Sequence, residues 1–281
     1  MFRKFALSSL ALALCGCASA DSPEMAMPGV AAGDISIETM KDVTRTMSSD
    51  EFEGRMPGTI GEELTVGLLV EKFSDAGLRP GNNGSWVQRV PLVEITGKDF
   101  APLKITGKGT DLSFAPSKDW VGVTYREDAA TSLADSELVF VGYGINAPEK
   151  GWNDYAGIDM TGKTAVILVN DPDYETEGLT GEFNGRAMTY YGRWTYKYEE
   201  AAKQGAAGAI IVHDEFPAAY GWNVVESSWT GAQAYPQRGE NAPRLTQMNG
   251  WVQKPVAEQI LAAAGQDFGK LSAAAKTKGF K

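Results

Sequence analysis

Three short apolar runs and one helical stretch constrain the fold of this chain more than any other feature. The runs cover residues 138–141, 164–169 and 208–212, and glycines or turn-forming residues bound them. Between the second and third runs, residues 191–204 have the composition of a helix that ends at Gly205. A strand, a helix and a strand in that order form a crossover connection, which places both strands parallel in one sheet. The sequence therefore predicts a mixed α/β fold with a partly parallel sheet.

Helices are also predicted on both sides of this sheet region. Residues 35–47 carry apolar side chains at helical spacing, and residues 61–76 have acidic residues in the first turn and a glycine after the last. Residues 86–92 alternate between apolar and polar and predict a strand, and short strands follow up to residue 123. A last helix is predicted at residues 256–264, with a glycine as its stop.

The first twenty residues have the composition of an export signal. Two basic residues precede an apolar run at residues 5–14, which is too short for a bilayer span of about 20 residues. Residues 14–17 (Leu-Cys-Gly-Cys) are similar to a bacterial lipobox, in which the Cys17 thiol would be acylated, whereas residues 18–20 (Ala-Ser-Ala) fit simple secretion. We favour lipidation because a cysteine at position 17 has no other evident task. The expected location is the periplasm or the outer membrane, with a lipid anchor as the membrane contact.

Composition excludes several classes of function. The formal net charge is -10, and no Lys/Arg run occurs in the body of the chain, so we expect no nucleic-acid partner. Both cysteines, Cys15 and Cys17, lie in the signal region. The folded body therefore has neither a disulfide framework nor a cysteine zinc site.

His213 is the only histidine, and it is followed by Asp214 and Glu215. Neighbouring residues at the end of a strand point to opposite faces, so these side chains cannot easily bind one ion. Catalytic zinc usually takes three protein ligands. A Ser-His-Asp triad would also need His213, and no Gly-x-Ser-x-Gly motif accompanies it. We therefore predict that His213 ends a strand and that this chain holds no metal and no catalytic residue.

Aromatic residues are concentrated in two stretches, residues 190–194 and 220–229. Tyr, Trp and Arg are typical of binding hot spots, so Tyr191, Arg193 and Trp194 are candidates for a recognition surface. The same side chains could equally pack inward. Position in the chain leaves both interpretations open.

Three stretches near the start of the body resemble a known family. Residues 50–58 (Asp-Glu-Phe-Glu-Gly-Arg-Met-Pro-Gly), then a helix with Gly-Glu-Glu at its start, then residues 77–80 (Gly-Leu-Arg-Pro) resemble the beginning of bacterial di-zinc aminopeptidases. These enzymes belong with the glutamate carboxypeptidase and transferrin-receptor clan.

Further stretches resemble the protease-associated (PA) domain that is inserted in many of these enzymes. They are residues 138–144, the loop at 152–155 (Trp-Asn-Asp-Tyr), Gly162-Lys163 before a strand, and residues 196–208. The resemblance covers roughly residues 38–281. It implies a β-rich PA-type domain with a crossover helix, joined to helices and short strands of an incomplete peptidase domain.

The resemblance also implies a division of the chain and of the chemistry. The expected segments are a lipoprotein signal region at 1–20, a tether at 21–34, the N-terminal part of a peptidase domain at 35–120, a PA-like domain at 121–252, and a helix leading to the catalytic domain at 253–281. In a complete relative, two zinc ions would activate a bridging water, and a carboxylate would shuttle the proton. Their ligands lie on a later domain that opens with a His-x-Asp pattern, which this sequence lacks.

The chain is thus expected to be the substrate-lid portion of an exported zinc aminopeptidase, inactive alone, with peptides as substrates of the complete enzyme. Tyr191, Arg193 and Trp194 are the lid candidates. The alternative is a non-catalytic PA-domain lipoprotein that binds peptide or glycan.

Overall fold

The computed structural model describes residues 36–281. The predicted signal region and the Cys17 lipidation site lie outside the described residues. The chain divides into two compact units, one ending at Gln88 and the other covering Arg89–Lys281. The domain boundaries expected after residues 120 and 252 stay predictions. No helix within residues 36–281 has the length and apolarity needed to cross a membrane.

The first unit contains the two predicted helices, α1 (Ile37–Met47) and α2 (Ile60–Asp75), joined through a 3₁₀ segment at Asp50–Arg55. Gly61 allows α2 to lie against this segment, because a Cβ there would collide with the carbonyl of the buried Phe52. Two of the stretches that resemble an aminopeptidase start, residues 50–58 and the start of α2, therefore pack against each other.

The strands of the second unit are β1 (Leu92–Thr96), β2 (Leu103–Gly107), β3 (Thr110–Phe114), β4 (Trp120–Val123), β5 (Leu138–Phe140), β6 (Asn146–Ala147), β7 (Trp152–Asn153), β8 (Thr164–Leu168), β9 (Gly208–His213), β10 (Ala232–Pro236) and β11 (Met248–Gln253). Its helices are α3 (Trp194–Lys203), α4 (Glu215–Ala218), α5 (Trp222–Ser228), α6 (Lys254–Ala263) and α7 (Phe268–Ala275).

A five-stranded sheet with the order β4-β11-β9-β8-β5 forms the centre of this unit. The strands β5, β8, β9 and β11 are parallel, and β4 pairs antiparallel with β11. The predicted β8-α3-β9 crossover and the mixed α/β fold are confirmed. Separate two-stranded sheets are formed by β1 and β10, by β2 and β3, and by β6 and β7.

Successive side chains of the central strands enter two different apolar clusters. In β8, Val166 and Leu168 belong to one cluster, whereas Ala165 and Ile167 belong to the other. Because side chains alternate along a strand, the two clusters lie on opposite faces of the sheet. The continuous apolar runs in the sequence reflect this burial on both faces.

Glycine ends three of the predicted helices. Gly77, Gly205 and Gly265 all have φ between +76° and +94°. After each glycine, the next N–H donates to the carbonyl five residues earlier, at 3.0, 3.0 and 2.8 Å. This is the Schellman arrangement, which satisfies carbonyls that the helix leaves unpaired.

The strand predicted at residues 86–92 is wrong, because β1 begins only at Leu92. The Asn82 amide donates to the Val87 carbonyl at 2.9 Å, and the Val87 N–H donates to the Ser85 hydroxyl at 3.1 Å. Local side chains thus form hydrogen bonds with backbone groups that would otherwise pair with a neighbouring strand. Pro91 has no backbone N–H, so it cannot donate a hydrogen bond to a neighbouring strand.

The helix predicted from residue 191 begins three residues later, at Trp194. A 3₁₀ turn at Tyr190–Gly192 precedes it, and Arg193 is extended with φ -74° and ψ 141°. Arg193 is therefore the N-cap, and Tyr191 lies in the turn ahead of the helix.

Candidate functional site

An aromatic cavity of about 370 Å³ lies in the second unit. This volume falls within the range of small-molecule sites. Its walls are mainly aromatic and aliphatic, and the polar groups among them include one amide, one serine hydroxyl and three tyrosine hydroxyls. The lining residues are Val123, Tyr125, Trp194, Tyr220, Val224, Val225, Ser228, Trp229, Gln233, Tyr235 and Trp251.

Different elements bring these rings together. Trp194 opens α3, and its ring meets that of Trp229 edge to face at 5.4 Å. Gln233 and Tyr235 alternate along β10, so both side chains point to the same side of that strand. The rings of Tyr235 and Tyr125 meet at 4.7 Å. Edge-to-face pairs of this kind hold the walls of the cavity in place.

The tyrosines of the cavity remain neutral at physiological pH. Burial raises the pKa of Tyr235 to about 12 and that of Tyr125 further still. Burial also raises the pKa of Tyr220, and the positive charge of Arg193 opposes that rise. The hydroxyls are therefore available as hydrogen-bond donors to a ligand.

Trp251 forms the most deeply buried part of the cavity wall. Its side chain is 1% exposed, and among the described residues its indole Nε1 has no hydrogen-bond partner. The Tyr198 hydroxyl donates to the Gly250 carbonyl at 2.9 Å and ties α3 to this strand. An unpaired buried donor is rare in native structures, and here it lies in a residue that lines a cavity.

The three lid candidates do not form one surface. Trp194 lines the aromatic cavity, and Arg193 lies close enough to influence Tyr220. Tyr191 instead contacts Phe183 and Tyr196, and its hydroxyl donates to Glu149 at 2.6 Å. The structure thus brings together two of the three candidates and leaves Tyr191 with the other apolar cluster. Their role in covering a substrate stays a prediction.

Sequence reasoning missed Tyr125, Tyr235 and Trp251 as parts of this site. Tyr125 follows β4 and Tyr235 lies in β10, at positions far apart in the chain. The alternation of Gln233 and Tyr235 is a signal that could have placed both on one side of a strand. Their meeting with α3 depends on the tertiary fold.

A buried cluster of charged residues surrounds Lys197 of α3. Lys197 is 0% exposed, and its ammonium donates to the Tyr143 carbonyl at 2.7 Å and to the Tyr191 carbonyl at 3.3 Å. Burial lowers the pKa of Lys197 to about 7, while the nearby Asp154 and Asp171 oppose that change.

The two carboxylates of this cluster are also held in hydrogen bonds. Asp154 accepts from the Ile145 N–H at 2.9 Å and from the Trp152 indole at 2.7 Å. Burial nevertheless raises the pKa of Asp154 to about 6. Burial likewise raises the pKa of Asp171 to about 6, against the hydrogen bonds from Thr189. The cluster therefore joins the turn at 142–144, the loop at 152–155 and α3.

His213 is the last residue of β9, as predicted, and it is buried. Its Nε2 lies 3.0 Å from the Tyr220 carbonyl, and the rings of Trp222 and Trp251 contact it. Asp214 instead accepts from Lys254 at 2.8 Å. The two side chains diverge. Within residues 36–281, no group of three or more His, Cys, Asp or Glu side chains is placed to hold a metal ion.

No protein-family model matches the chain, and no curated protein matches it. Among solved structures, the chain is similar to an aminopeptidase from Aneurinibacillus sp. strain AM-1, with 19% sequence identity and a TM-score of 0.33. The match covers 82% of this chain and 42% of the aminopeptidase, so the chain spans less than half the length of that protein.

Proposed function

We propose that this chain is the N-terminal and substrate-covering portion of an exported zinc-dependent aminopeptidase of the di-zinc clan. One observation supports the proposal above others. Three stretches that resemble a PA domain, at 138–144, 152–155 and 196–208, meet around the buried Lys197. The stretches are separated in the sequence, but their residues pack together in the folded structure.

The described residues do not fit a di-zinc centre. His213 is buried with its Nε2 at the Tyr220 carbonyl, and Asp214 is paired with Lys254 on the opposite side of the strand. Two zinc ions need several imidazole and carboxylate groups that converge on one point. We therefore assign hydrolysis to a domain outside the described residues and derive no metal-dependent step here.

The contribution of this chain would be recognition of the peptide. The aromatic cavity offers apolar walls for a side chain, and the positive charge of Arg193 acts on Tyr220 in its wall. Binding energy from a side chain remote from the scissile bond can position the peptide for reaction. Trp194 is the residue we expect to matter most, because its ring forms a wall and is still 37% exposed.

The first experiment measures zinc content and peptidase activity of the isolated 281-residue chain. We expect no stoichiometric zinc and no hydrolysis of aminoacyl nitroanilides. Tight zinc binding together with hydrolysis would overturn the assignment of the metal site to another domain. Reading the gene in frame beyond codon 281 provides the second experiment, since a His-x-Asp segment there supports the proposal.

The third experiment uses the enzyme that such a longer gene encodes. Trp194→Ala should lower kcat/KM about tenfold for peptides with a large apolar side chain and leave short amide substrates unchanged. Trp86→Ala, in the first unit, is the matched control. An equal loss on all substrates would indicate damage to the fold rather than loss of recognition.

The aromatic cavity also favours a second function, a non-catalytic lipoprotein that binds peptide or glycan. Such a protein would bind its ligand through the same walls without any hydrolytic partner. Calorimetric titration of the 281-residue chain with short peptides and with oligosaccharides tests it. Two results together would favour this function over the first. They are saturable binding that Trp229→Ala abolishes, and a stop codon directly after codon 281 in the gene.

A further inference from the structure

A second cavity, of about 350 Å³, lies at the carboxyl ends of β8 and β9. We call it the strand-end cavity. Leu168 and Val212 form part of its wall, and both belong to the apolar cluster opposite the aromatic cavity. The helices α6 and α7 supply the other side. In open α/β sheets, ligands commonly bind at the carboxyl ends of the parallel strands.

Two hydroxyl groups of this cavity lack hydrogen-bond partners within the described chain. Tyr143 is 98% buried and lines the cavity, and its hydroxyl donates to no described residue. Ser272 of α7 also lines the cavity, and its buried Oγ has no partner. Buried polar groups are nearly always paired, so the unpaired Ser272 Oγ indicates a missing polar partner at this cavity, and the Tyr143 hydroxyl is a second group that could bind it.

Charges of both signs surround these hydroxyls. Lys254 and Asp214 form an ion pair at 2.8 Å, and both line the cavity. Lys276 is paired with Glu175 at 2.5 Å, and Glu258 adds a further carboxylate to the lining. A site with balanced charges favours neither a bare anion nor a bare cation. Such a site matches a zwitterionic ligand, which carries one positive and one negative charge.

We propose that the strand-end cavity binds a free α-amino acid with an apolar side chain. The carboxylates Asp214 and Glu258 suit its ammonium group, and Lys254 with Lys276 suits its carboxylate. The hydroxyls of Tyr143 and Ser272 complete the hydrogen bonding. Leu168, Val212 and Phe268 provide the apolar surface for the side chain. The inference does not require peptidase activity, so it can fail or succeed independently of the proposed function.

The test is calorimetric titration of the 281-residue chain with L-leucine. We expect saturable binding of one leucine per chain. Leucinamide lacks the carboxylate, and 4-methylpentanoate lacks the ammonium group, so each should bind about tenfold more weakly or not at all. If either analogue binds as tightly as leucine, the zwitterion is the wrong ligand class and the proposal is overturned.

Two variants locate the binding within the cavity. Tyr143→Phe and Ser272→Ala should each weaken leucine binding about fivefold, since each removes one hydroxyl and keeps most of the volume. Tyr190→Phe and Ser227→Ala remove matched hydroxyls outside the cavity and should leave the affinity unchanged. Circular dichroism checks that all four variants fold. If Tyr143→Phe fails to fold, the test depends on Ser272→Ala. Absence of leucine binding, or wild-type affinity in both cavity variants, would overturn the proposal.

Discussion

The helix α3 contributes side chains to two regions of different chemical character. In one region, Lys197 is buried with Asp154 and Asp171 and donates to backbone carbonyls of two loops. In the other region, Trp194 and Tyr198 pack against the rings around the aromatic cavity. The charged region is closed and dense in hydrogen bonds, whereas the aromatic region leaves a cavity. We infer that the first region maintains the fold and the second is available for recognition.

The largest effect is expected when the ammonium group at the centre of the charged region is removed. Lys197→Ala leaves Asp154 and Asp171 buried without their counter-charge and two carbonyls without a donor. We expect a loss of about 3–5 kcal/mol in the free energy of unfolding, measured by urea denaturation. The exposed Lys203→Ala on the same helix is the control. A loss similar to that of the control would contradict the structural role of the cluster.

The charged region should also make stability depend on pH. The folded pKa of Lys197 lies at about 7, below its ordinary value of 10.5, so the unfolded chain binds more protons between these values. Stability therefore rises with pH above 7. Relative to Lys197→Met, the wild type should gain on the order of 2 kcal/mol between pH 7 and 9. Parallel pH profiles of the two proteins would show that Lys197 keeps its ordinary pKa.

A smaller effect is expected at the boundary between the two regions. The Tyr198 hydroxyl is buried and donates to the Gly250 carbonyl at 2.9 Å. Tyr198→Phe keeps the ring against Trp194 and Trp229 but removes that bond, so unfolding should become easier by about 1–2 kcal/mol. Thermal and urea unfolding measure the change. Tyr190→Phe is the control, since that hydroxyl is exposed.

The smallest effect on stability is expected when a residue of the aromatic cavity is replaced. Trp194 is 37% exposed, so Trp194→Ala should cost only about 1 kcal/mol while it removes a cavity wall. Equilibrium unfolding and peptide titration on the same sample separate the two outcomes. If stability falls as far as in Lys197→Ala, the aromatic region is part of the core and the contrast between the regions fails.

Prediction from sequence succeeded where the signal is local. The helix α2 was located from its acidic first turn and its glycine stop, and the crossover from two apolar runs around α3. It failed at residues 86–91, where Asn82 and Ser85 bind the Val87 backbone in place of a neighbouring strand. Alternation of apolar residues does not show whether the backbone finds a partner strand.

The candidate site was predictable only in part. Trp194 and Arg193 were named from their chemistry, and the structure places Trp194 in the wall of the aromatic cavity, whereas Arg193 does not line it. Tyr191 was grouped with them because it is adjacent in sequence, yet the 3₁₀ turn directs it to Phe183 and Glu149. Adjacent residues in a turn can enter different clusters, so proximity in sequence is a weak guide to a shared surface.

The sequence by itself determined the helices α1 and α2, the β8-α3-β9 crossover, the glycines that end the helices, and the position of His213 at the end of a strand. These depend on backbone conformation and on the periodicity of neighbouring residues. Only the tertiary structure decided that Lys197 is buried among carboxylates, that Tyr125, Trp194 and Tyr235 share a cavity, and that Tyr143 and Ser272 face a common space. Those features depend on contacts between distant segments, which local propensities do not encode.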